Sequence, residues 1–244
     1  MYFINNNIQR LERELKMIVK YEYTIEQAIT DNIIADYKIH IYYLQLNNIN
    51  KVIDISSKTK KLALVTEKVA YDYYTQQFEK FKYAAQFNPA LHTIKQKYAG
   101  LRAQLIYNLP SKLQIAKQLA DSQDKLIVFT QSKLMADSIC DSYHSKNKDT
   151  DNLSKFINSE IDKLATVNMV SMGVTIPNLK KALCVQLQSN DEIAIQKVAR
   201  ILNPDDDRVG FIQILAVRDT VDQLWVNNAL LGLREDKITW SDWE

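Results

Sequence analysis

Glycine, proline and cysteine are scarce in this 244-residue sequence, and each scarcity excludes a class of protein. Four glycines and four prolines are too few for a collagen-like chain, a disordered chain or an all-β chain with many turns. The two cysteines, Cys140 and Cys184, cannot form a disulfide framework or a structural zinc site unaided, and they indicate a reducing compartment. No apolar run approaches the roughly 18 residues of a membrane span. We therefore expect one or two folded domains and no membrane partner.

The positions of the glycines limit the nucleotide-binding motifs that the sequence can contain. Gly100, Gly173, Gly210 and Gly232 cannot be fitted to GxxxxGK[ST] or to GxGxxG. The sequence therefore has neither a Walker-type phosphate loop nor a dinucleotide fingerprint of its own. The histidines and cysteines are scattered without metal-ligand spacing, so we expect no metal site, and no Ser/His/Asp arrangement follows from spacing. The first 16 residues are amphipathic but lack the basic-then-apolar layout of a signal peptide.

Positive charge is concentrated in residues 51–104 although the whole chain carries a net charge of only +2. This segment contains ten Lys/Arg and four Asp/Glu, and eight aromatic residues are interleaved with them. Basic side chains neutralise phosphates and aromatic faces stack on unpaired bases, which favours nucleic-acid binding. The alternative is that most of the rings pack inward while the lysines form a solvated helix face.

Hydrophobic periodicity predicts helices and then strands that alternate with helices. The predicted helices are residues 1–20, 25–30, 67–106 with a break near Asn88-Pro89, 110–120, 133–142, 152–158, 191–202 and 220–230. The predicted strands are residues 37–43, one or two within 47–66, 125–130, 163–170, 182–188 and 209–217. This alternation predicts an α/β fold with a parallel sheet between two layers of helices.

Five segments, taken in order, resemble the second RecA-like lobe of superfamily 2 helicases. Residues 125–140 resemble that family's motif IV, residues 167–179 resemble motif V, and QKVARILN (196–203) resembles motif VI. Residues 26–44 resemble the passage that leads from the first lobe into the second, and residues 219–230 resemble the closing helix of phage and viral members. The resemblance implies a RecA-like C-terminal domain over residues 109–244. Residues 1–108 would form an N-terminal helix, a linking strand and a basic helical insert.

The resemblance also implies what this chain would need from elsewhere. Family members carry a Walker A loop and a DExx acidic motif on a first lobe, and the sequence contains neither, as if it started where that lobe ends. ATP and Mg²⁺ would therefore bind only in trans, together with a protein that carries the first lobe. The expected partners are that protein and nucleic acid, with DNA preferred. A phage-encoded protein of this kind would work in the cytoplasm of a bacterial host.

Motif VI suggests two catalytic residues. Arg200 matches the family's first arginine, which supplies charge to the transferring phosphoryl group, and Gln196 matches the family's glutamine. In the family the second arginine is usually the arginine finger itself, but Asn203 stands at that position here, and an amide cannot replace that charge. The alternative for Arg200 is an ordinary ion pair with Asp191 or Glu192.

Motifs V and IV suggest further binding residues. Gly173 and Thr175, with Arg200, would contact the nucleotide, although an acid often stands where Thr175 is found. Contacts to nucleic acid are expected from six residues, namely Thr130, Gln131, Ser132, Lys146, Asn168 and Ser171. Ser132 is also suited to cap the helix that follows it. An ordinary tight turn around Gly173 and a solvated loop around Lys146 are the alternatives.

Three functional hypotheses remain open. The first is a helicase lobe that cooperates in trans with a Walker-bearing partner in ATP-dependent unwinding or translocation. The second is a catalytically inactive, helicase-derived protein that binds nucleic acid or regulates another protein. The third is a docking protein that blocks the lobe interface of another helicase.

Overall fold

The computed structural model describes residues 25–30, 36–55, 64–147, 151–167, 176–188, 209–231 and 233–243. Its strands are β1 (Tyr37–Leu44), β2 (Ile53–Asp54), β3 (Leu64–Val65), β4 (Leu126–Thr130), β5 (Ser142–Tyr143), β6 (Lys163–Val167), β7 (Lys181–Cys184), β8 (Gly210–Val217) and β9 (Ile238–Asp242). Its α-helices are α1 (Ile25–Thr30), α2 (Glu67–Ala84), α3 (His92–Tyr107), α4 (Pro110–Asp121), α5 (Lys133–Ile139), α6 (Asn152–Ile157) and α7 (Val221–Ala229). Short 3₁₀ helices at Pro89–Leu91 and Glu235–Lys237 precede α3 and β9.

Seven of the described strands form one parallel sheet with the order β5-β6-β4-β7-β8-β1-β9. β1 pairs with β8 along its whole length, from Tyr37 opposite Gly210 to Leu44 opposite Val217. β4 lies near the centre and all five of its residues are buried. This agrees with the continuous apolar run at residues 125–130, which is typical of a strand covered on both faces.

Helices cover both faces of this sheet and bury two apolar cores. On one face, Ile39 and Ile214 of the sheet pack with Phe156 of α6 and Val226 of α7. On the other face, Leu183 and its neighbours in the sheet pack with residues of α2, α3, α4 and α5. The predicted parallel sheet between two helical layers is confirmed.

The helices α2 and α3 form an antiparallel hairpin that we call the arm (residues 67–107). The ring of Phe81 stacks on that of Tyr98 at 5.5 Å, and the guanidinium of Arg102 lies 4.4 Å from the centre of the Phe78 ring. From the first pair to the second, the residue number decreases on α2 and increases on α3. The two helices therefore run in opposite directions. The break between them is the predicted one, because Asn88 caps the 3₁₀ turn that Pro89 opens.

Several predicted elements have shifted ends or lie outside the described residues. The helix expected over residues 133–142 ends at Ile139, because Cys140 has extended backbone with φ −160° and ψ −169°. β5 follows two residues later, where a helix was expected. The predicted helices 1–20 and 191–202 lie outside the described residues.

The sequence analysis missed β9, the strand that pairs with β1 at one margin of the sheet. β9 is a short edge strand with partly exposed side chains, so its apolar pattern is weak. Its position is fixed by polar contacts, since the ring nitrogens of His40 lie 2.8 Å from Thr239 Oγ1 and 3.0 Å from Ser241 Oγ. The division at residues 1–108 and 109–244 stays a prediction, although the sheet contains β1 from the first segment.

Candidate functional site

β4 and β7 are neighbours at the topological switch point of the sheet, and this topology favours ligand binding at their carboxyl ends. After β4 the chain turns toward β5 on one side, and after β7 it continues to β8 on the other. Neighbouring parallel strands whose connections leave in opposite directions open a crevice at their carboxyl ends, where ligands of α/β proteins usually bind. We call this region the carboxyl edge. It contains Gln131, Ser132, Gln186 and Gln188.

Gln186 connects three parts of the carboxyl edge. Its side chain is fully buried, its Oε1 accepts a hydrogen bond from the backbone N–H of Gln131 at 2.8 Å, and its Nε2 donates to the carbonyl of Tyr107 at 2.8 Å. Gln188 donates a further hydrogen bond from its Nε2 to Oε1 of Gln131. The end of β4, the chain after β7 and the end of the arm are therefore held together by amide groups.

The loop after β4 is shaped by hydroxyl groups. Thr130 is 1% exposed and donates its hydroxyl to the carbonyl of Ser132 at 3.0 Å. Ser132 caps α5 as predicted, because its Oγ accepts from the N–H of Met135 at 3.3 Å. The same Oγ donates to Oδ1 of Asn108 at 2.5 Å. Gln131 and Ser132 are both half-buried, while Thr130 is buried.

A basic loop after β5 borders the same edge. Lys133 at the start of α5 donates to Ser145 Oγ at 2.6 Å, which connects the β4 loop to the β5 loop. Lys146 is exposed, and its backbone N–H donates to Nδ1 of His144 at 3.2 Å. The exposed ammonium of Lys146 and the nearby Lys133 give this side of the edge a positive charge, which suits a phosphate.

Beneath this loop the buried His144 takes part in a polar network that orders it. His144 Nε2 lies 2.8 Å from Asp137 Oδ1, and Ser142 donates its hydroxyl to the same oxygen at 2.5 Å. The hydrogen bond from Ser142, assisted by His144, holds the pKa of the Asp137 carboxyl below its usual value. Asn147 adds two hydrogen bonds to Ser142, so the loop that carries Lys146 is fixed from below.

The arm joins the lobe at the carboxyl edge through Glu67. This residue is 1% exposed, and its Oε1 accepts from the N–H of Ser111 at 2.9 Å while its Oε2 accepts from the Ser111 hydroxyl at 2.8 Å. Oε2 also accepts from the N–H of Asn47, in the loop after β1, at 2.9 Å. Pro110 and Ser111 open α4, so the carboxylate of Glu67 supplies the negative charge that a helix N-terminus favours.

The structure brings together some of the predicted site residues. Gln131, Ser132 and the loop of Lys146 lie along the carboxyl edge, with the buried Thr130 beneath them. The other predicted residues, Gln196 and Arg200 for catalysis, Gly173 and Thr175 for the nucleotide, and Asn168 and Ser171 for nucleic acid, lie outside the described residues. Their roles stay predictions, and so do the nucleic-acid contacts expected of Gln131, Ser132 and Lys146.

The sequence analysis missed Gln186 and Glu67. Gln186 follows the apolar run of β7 just as Gln131 follows that of β4, and this parallel was the available signal. Polar residues at the ends of two buried strands converge when the strands are neighbours in a parallel sheet. For Glu67 no sequence signal existed, because its partner Ser111 is 44 residues away.

The described part of the chain contains neither a candidate metal site nor a candidate membrane span. No group of three or more His, Cys, Asp or Glu side chains there could hold a metal ion. No helix among them is both long and apolar enough to cross a membrane. Cys184 is buried, and burial raises the pKa of the half-buried Cys140 thiol to about 12, so both are poor nucleophiles.

Comparisons with known proteins support the fold. No family model matches the sequence, and no curated protein matches it. Among solved structures, the C-terminal part of the Fun30 ATPase domain is similar, with a TM-score of 0.57 and 12% identity over 84% of this chain and 92% of that one. The E. coli DEAD-box protein SrmB bound to RraA (TM-score 0.45, 13% identity, 55% of this chain and 85% of that one) also matches. So does the S. cerevisiae Dbp5 C-terminal domain bound to Gle1 and IP6 (TM-score 0.44, 16% identity, 56% of this chain and 85% of that one). The fold assignment rests on the first of these. The chain has the RecA-like α/β fold, in the form found in the C-terminal part of an ATPase domain.

Proposed function

We propose that this chain acts as the second lobe of a superfamily 2 helicase and works in trans with a protein that carries the Walker loop. The observation that supports this most directly is the polar, basic carboxyl edge at the topological switch point, where Gln131 and Ser132 are held by Gln186 and Asn108. The half-buried amide and hydroxyl groups of this edge, together with the exposed Lys146 on the β5 loop, suit the sugar–phosphate backbone of a nucleic acid.

The catalytic part of the proposal depends on the resemblance of residues 196–203 to motif VI. Arg200 would supply charge to the γ-phosphoryl group of ATP, and Gln196 would orient the nucleotide, with Gly173 and Thr175 nearby. The partner would supply the Walker lysine and the acid that holds Mg²⁺. Closing and opening of the cleft between the two lobes would then move them along a strand, preferentially of DNA. A phage origin and a host-cytoplasmic location belong to the same proposal.

The experiment measures ATP hydrolysis by the purified chain with and without single-stranded DNA. We expect no turnover, because the sequence lacks a phosphate loop, and weak DNA binding that declines with salt. A Walker-bearing protein captured with the chain should restore turnover. Arg200→Ala should then strongly reduce turnover, because it removes the motif VI arginine that remains in this chain to face the γ-phosphoryl group. Rapid hydrolysis by the chain alone, or restored turnover that is indifferent to Arg200, would contradict the proposal.

A second candidate is a helicase-derived protein that binds nucleic acid without turning over ATP. Asn203 and Thr175, which stand where an arginine and an acid are usual, favour it. In that case DNA binding should persist while no captured partner restores hydrolysis. A docking role would instead show as tight binding to an intact helicase with loss of its unwinding.

A further inference from the structure

The free end of the arm exposes two large aromatic rings. We call residues 80–97 the tip. Tyr83 is 67% exposed and Phe87 is 74% exposed, and their ring centres lie 5.3 Å apart at an interplanar angle of 64°. An exposed pair of this size is unusual, because each ring in water forgoes roughly 1.5–3 kcal/mol of burial free energy.

The tip is positively charged throughout. Residues 80–120 contain no Asp or Glu, and the tip itself carries Lys80, Lys82, Lys95 and Lys97. The nearest acid in sequence is Glu79, which forms an ion pair with Lys82 at 3.0 Å. Lys80 precedes the two rings in the sequence and Lys97 follows them, and both lysines are exposed. The tip residues themselves therefore carry no carboxylate, and the one at its border, Glu79, is paired with Lys82.

The tip also stands away from the body of the lobe. Among the described residues, neither apolar core includes a side chain between Tyr74 on α2 and Leu105 on α3. Residues 75–84 of α2 continue for about 15 Å beyond that packed base, at ~1.5 Å per residue. The distal arm is held by its own contacts, including the Phe81–Tyr98 stack, so it presents the tip on a firm support.

We propose that the tip binds single-stranded nucleic acid, with unpaired bases stacked on Tyr83 and Phe87 and phosphates on the surrounding lysines. Rings between lysines match the alternation of bases and phosphates along a single strand. A duplex hides its base faces, and an apolar protein partner would not need this charge. The tip would be a second nucleic-acid site, independent of the carboxyl edge and of ATP.

The experiment compares two fluorescent probes of equal charge by anisotropy, at about 50 and 200 mM salt. One is oligothymidylate of about 20 nucleotides, and the other is an abasic deoxyribose-phosphate chain of the same length. Wild type should bind oligothymidylate more tightly. Y83A/F87A should weaken oligothymidylate binding by roughly 10-fold or more while leaving abasic binding unchanged, because stacking contributes about 1–3 kcal/mol per base.

A charge variant tests the other half of the proposal. K80Q/K97Q should weaken both probes and reduce the salt slope of log K by about 1.4, since each phosphate neutralised on a single strand contributes ~0.7. Trp240→Ala, which removes an exposed ring on β9, and Lys117→Gln, which removes an exposed lysine on α4, are matched controls and should change neither probe. Unchanged urea unfolding would show that each variant is folded.

Three results would overturn the proposal. The first is that wild type binds both probes equally, and the second is that Y83A/F87A weakens them equally. The third is that polyglutamate displaces oligothymidylate as well as unlabelled oligothymidylate does, which would identify the partner as an acidic protein. The assay contains no ATP, so a negative result here leaves the proposed helicase function untouched, and the reverse also holds.

Discussion

At the scale of single residues, Gln186 matters because both ends of its amide are used in a buried position. Gln186→Leu keeps the approximate volume but removes the acceptor of the Gln131 N–H and a donor to the Tyr107 carbonyl. We expect the free energy of unfolding to fall by about 1–3 kcal/mol, the cost of an unsatisfied buried polar group. Urea unfolding followed by circular dichroism measures it.

Gln188→Leu is the matched control for this prediction. Gln188 is exposed, and its hydrogen bond to Gln131 joins two side chains, so its replacement should change stability by less than about 0.5 kcal/mol. Equal effects of the two substitutions would mean that the buried amide does not organise the carboxyl edge.

At the scale of elements, Glu67 is one of the contacts that hold the arm to the lobe, beside the apolar core and the bond from Gln186. Glu67→Gln replaces one carboxylate oxygen by an NH₂ group, which would face the N–H of Asn47 or the N–H of Ser111 instead of accepting from it. We expect the free energy of unfolding to fall by about 2–3 kcal/mol, because hydrogen bonds to a charged, buried acceptor are stronger than those between neutral groups. Hydrogen exchange should accelerate in the first turns of α2 and α4.

Glu79→Gln on the same helix provides the comparison. Glu79 is exposed and pairs with Lys82 alone among the described residues, so its loss should change stability by at most about 0.5 kcal/mol. If Glu67→Gln lowered the free energy of unfolding as little as Glu79→Gln does, the capping role assigned to Glu67 would be wrong.

At the scale of the whole molecule, periodicity predicted the central elements because burial on both faces produces long apolar runs. The 125–130 run became β4, and the 209–217 run became β8. The edge strands β5 and β9 escaped prediction because a half-exposed strand of two to five residues has little pattern. Of the aromatic rings in residues 51–104, some pack inward and others are free to stack on bases. Those that are buried or half-buried are Tyr71, Tyr74, Phe78, Phe81 and Tyr98. Those that are exposed are Tyr73, Tyr83 and Phe87. Only tertiary structure could separate them.

The buried ion pair between Lys112 and Asp222 is another feature that local sequence could not predict, and it joins distant parts of the lobe. Lys112 Nζ on α4 lies 2.7 Å from Asp222 Oδ2 on α7, and both side chains are fully buried. Asp222 Oδ2 also accepts from the N–H of Val217 at 2.8 Å. Removing one partner strands a charge, so Asp222→Asn or Lys112→Met alone should cost about 3–5 kcal/mol, and the double variant should recover most of it.

The two single variants should respond to pH in opposite directions. Burial lowers the pKa of Lys112 and raises that of Asp222. In Asp222→Asn the folded state holds the Lys112 proton less tightly than the unfolded state does, so the stability deficit should shrink as pH rises from 7 toward 10. In Lys112→Met the folded state holds the Asp222 proton more tightly, so the deficit should shrink as pH falls toward 4. Urea midpoints across this range measure both slopes against the double variant, and slopes parallel to that of the double variant would mean that neither stranded group changes its protonation on folding.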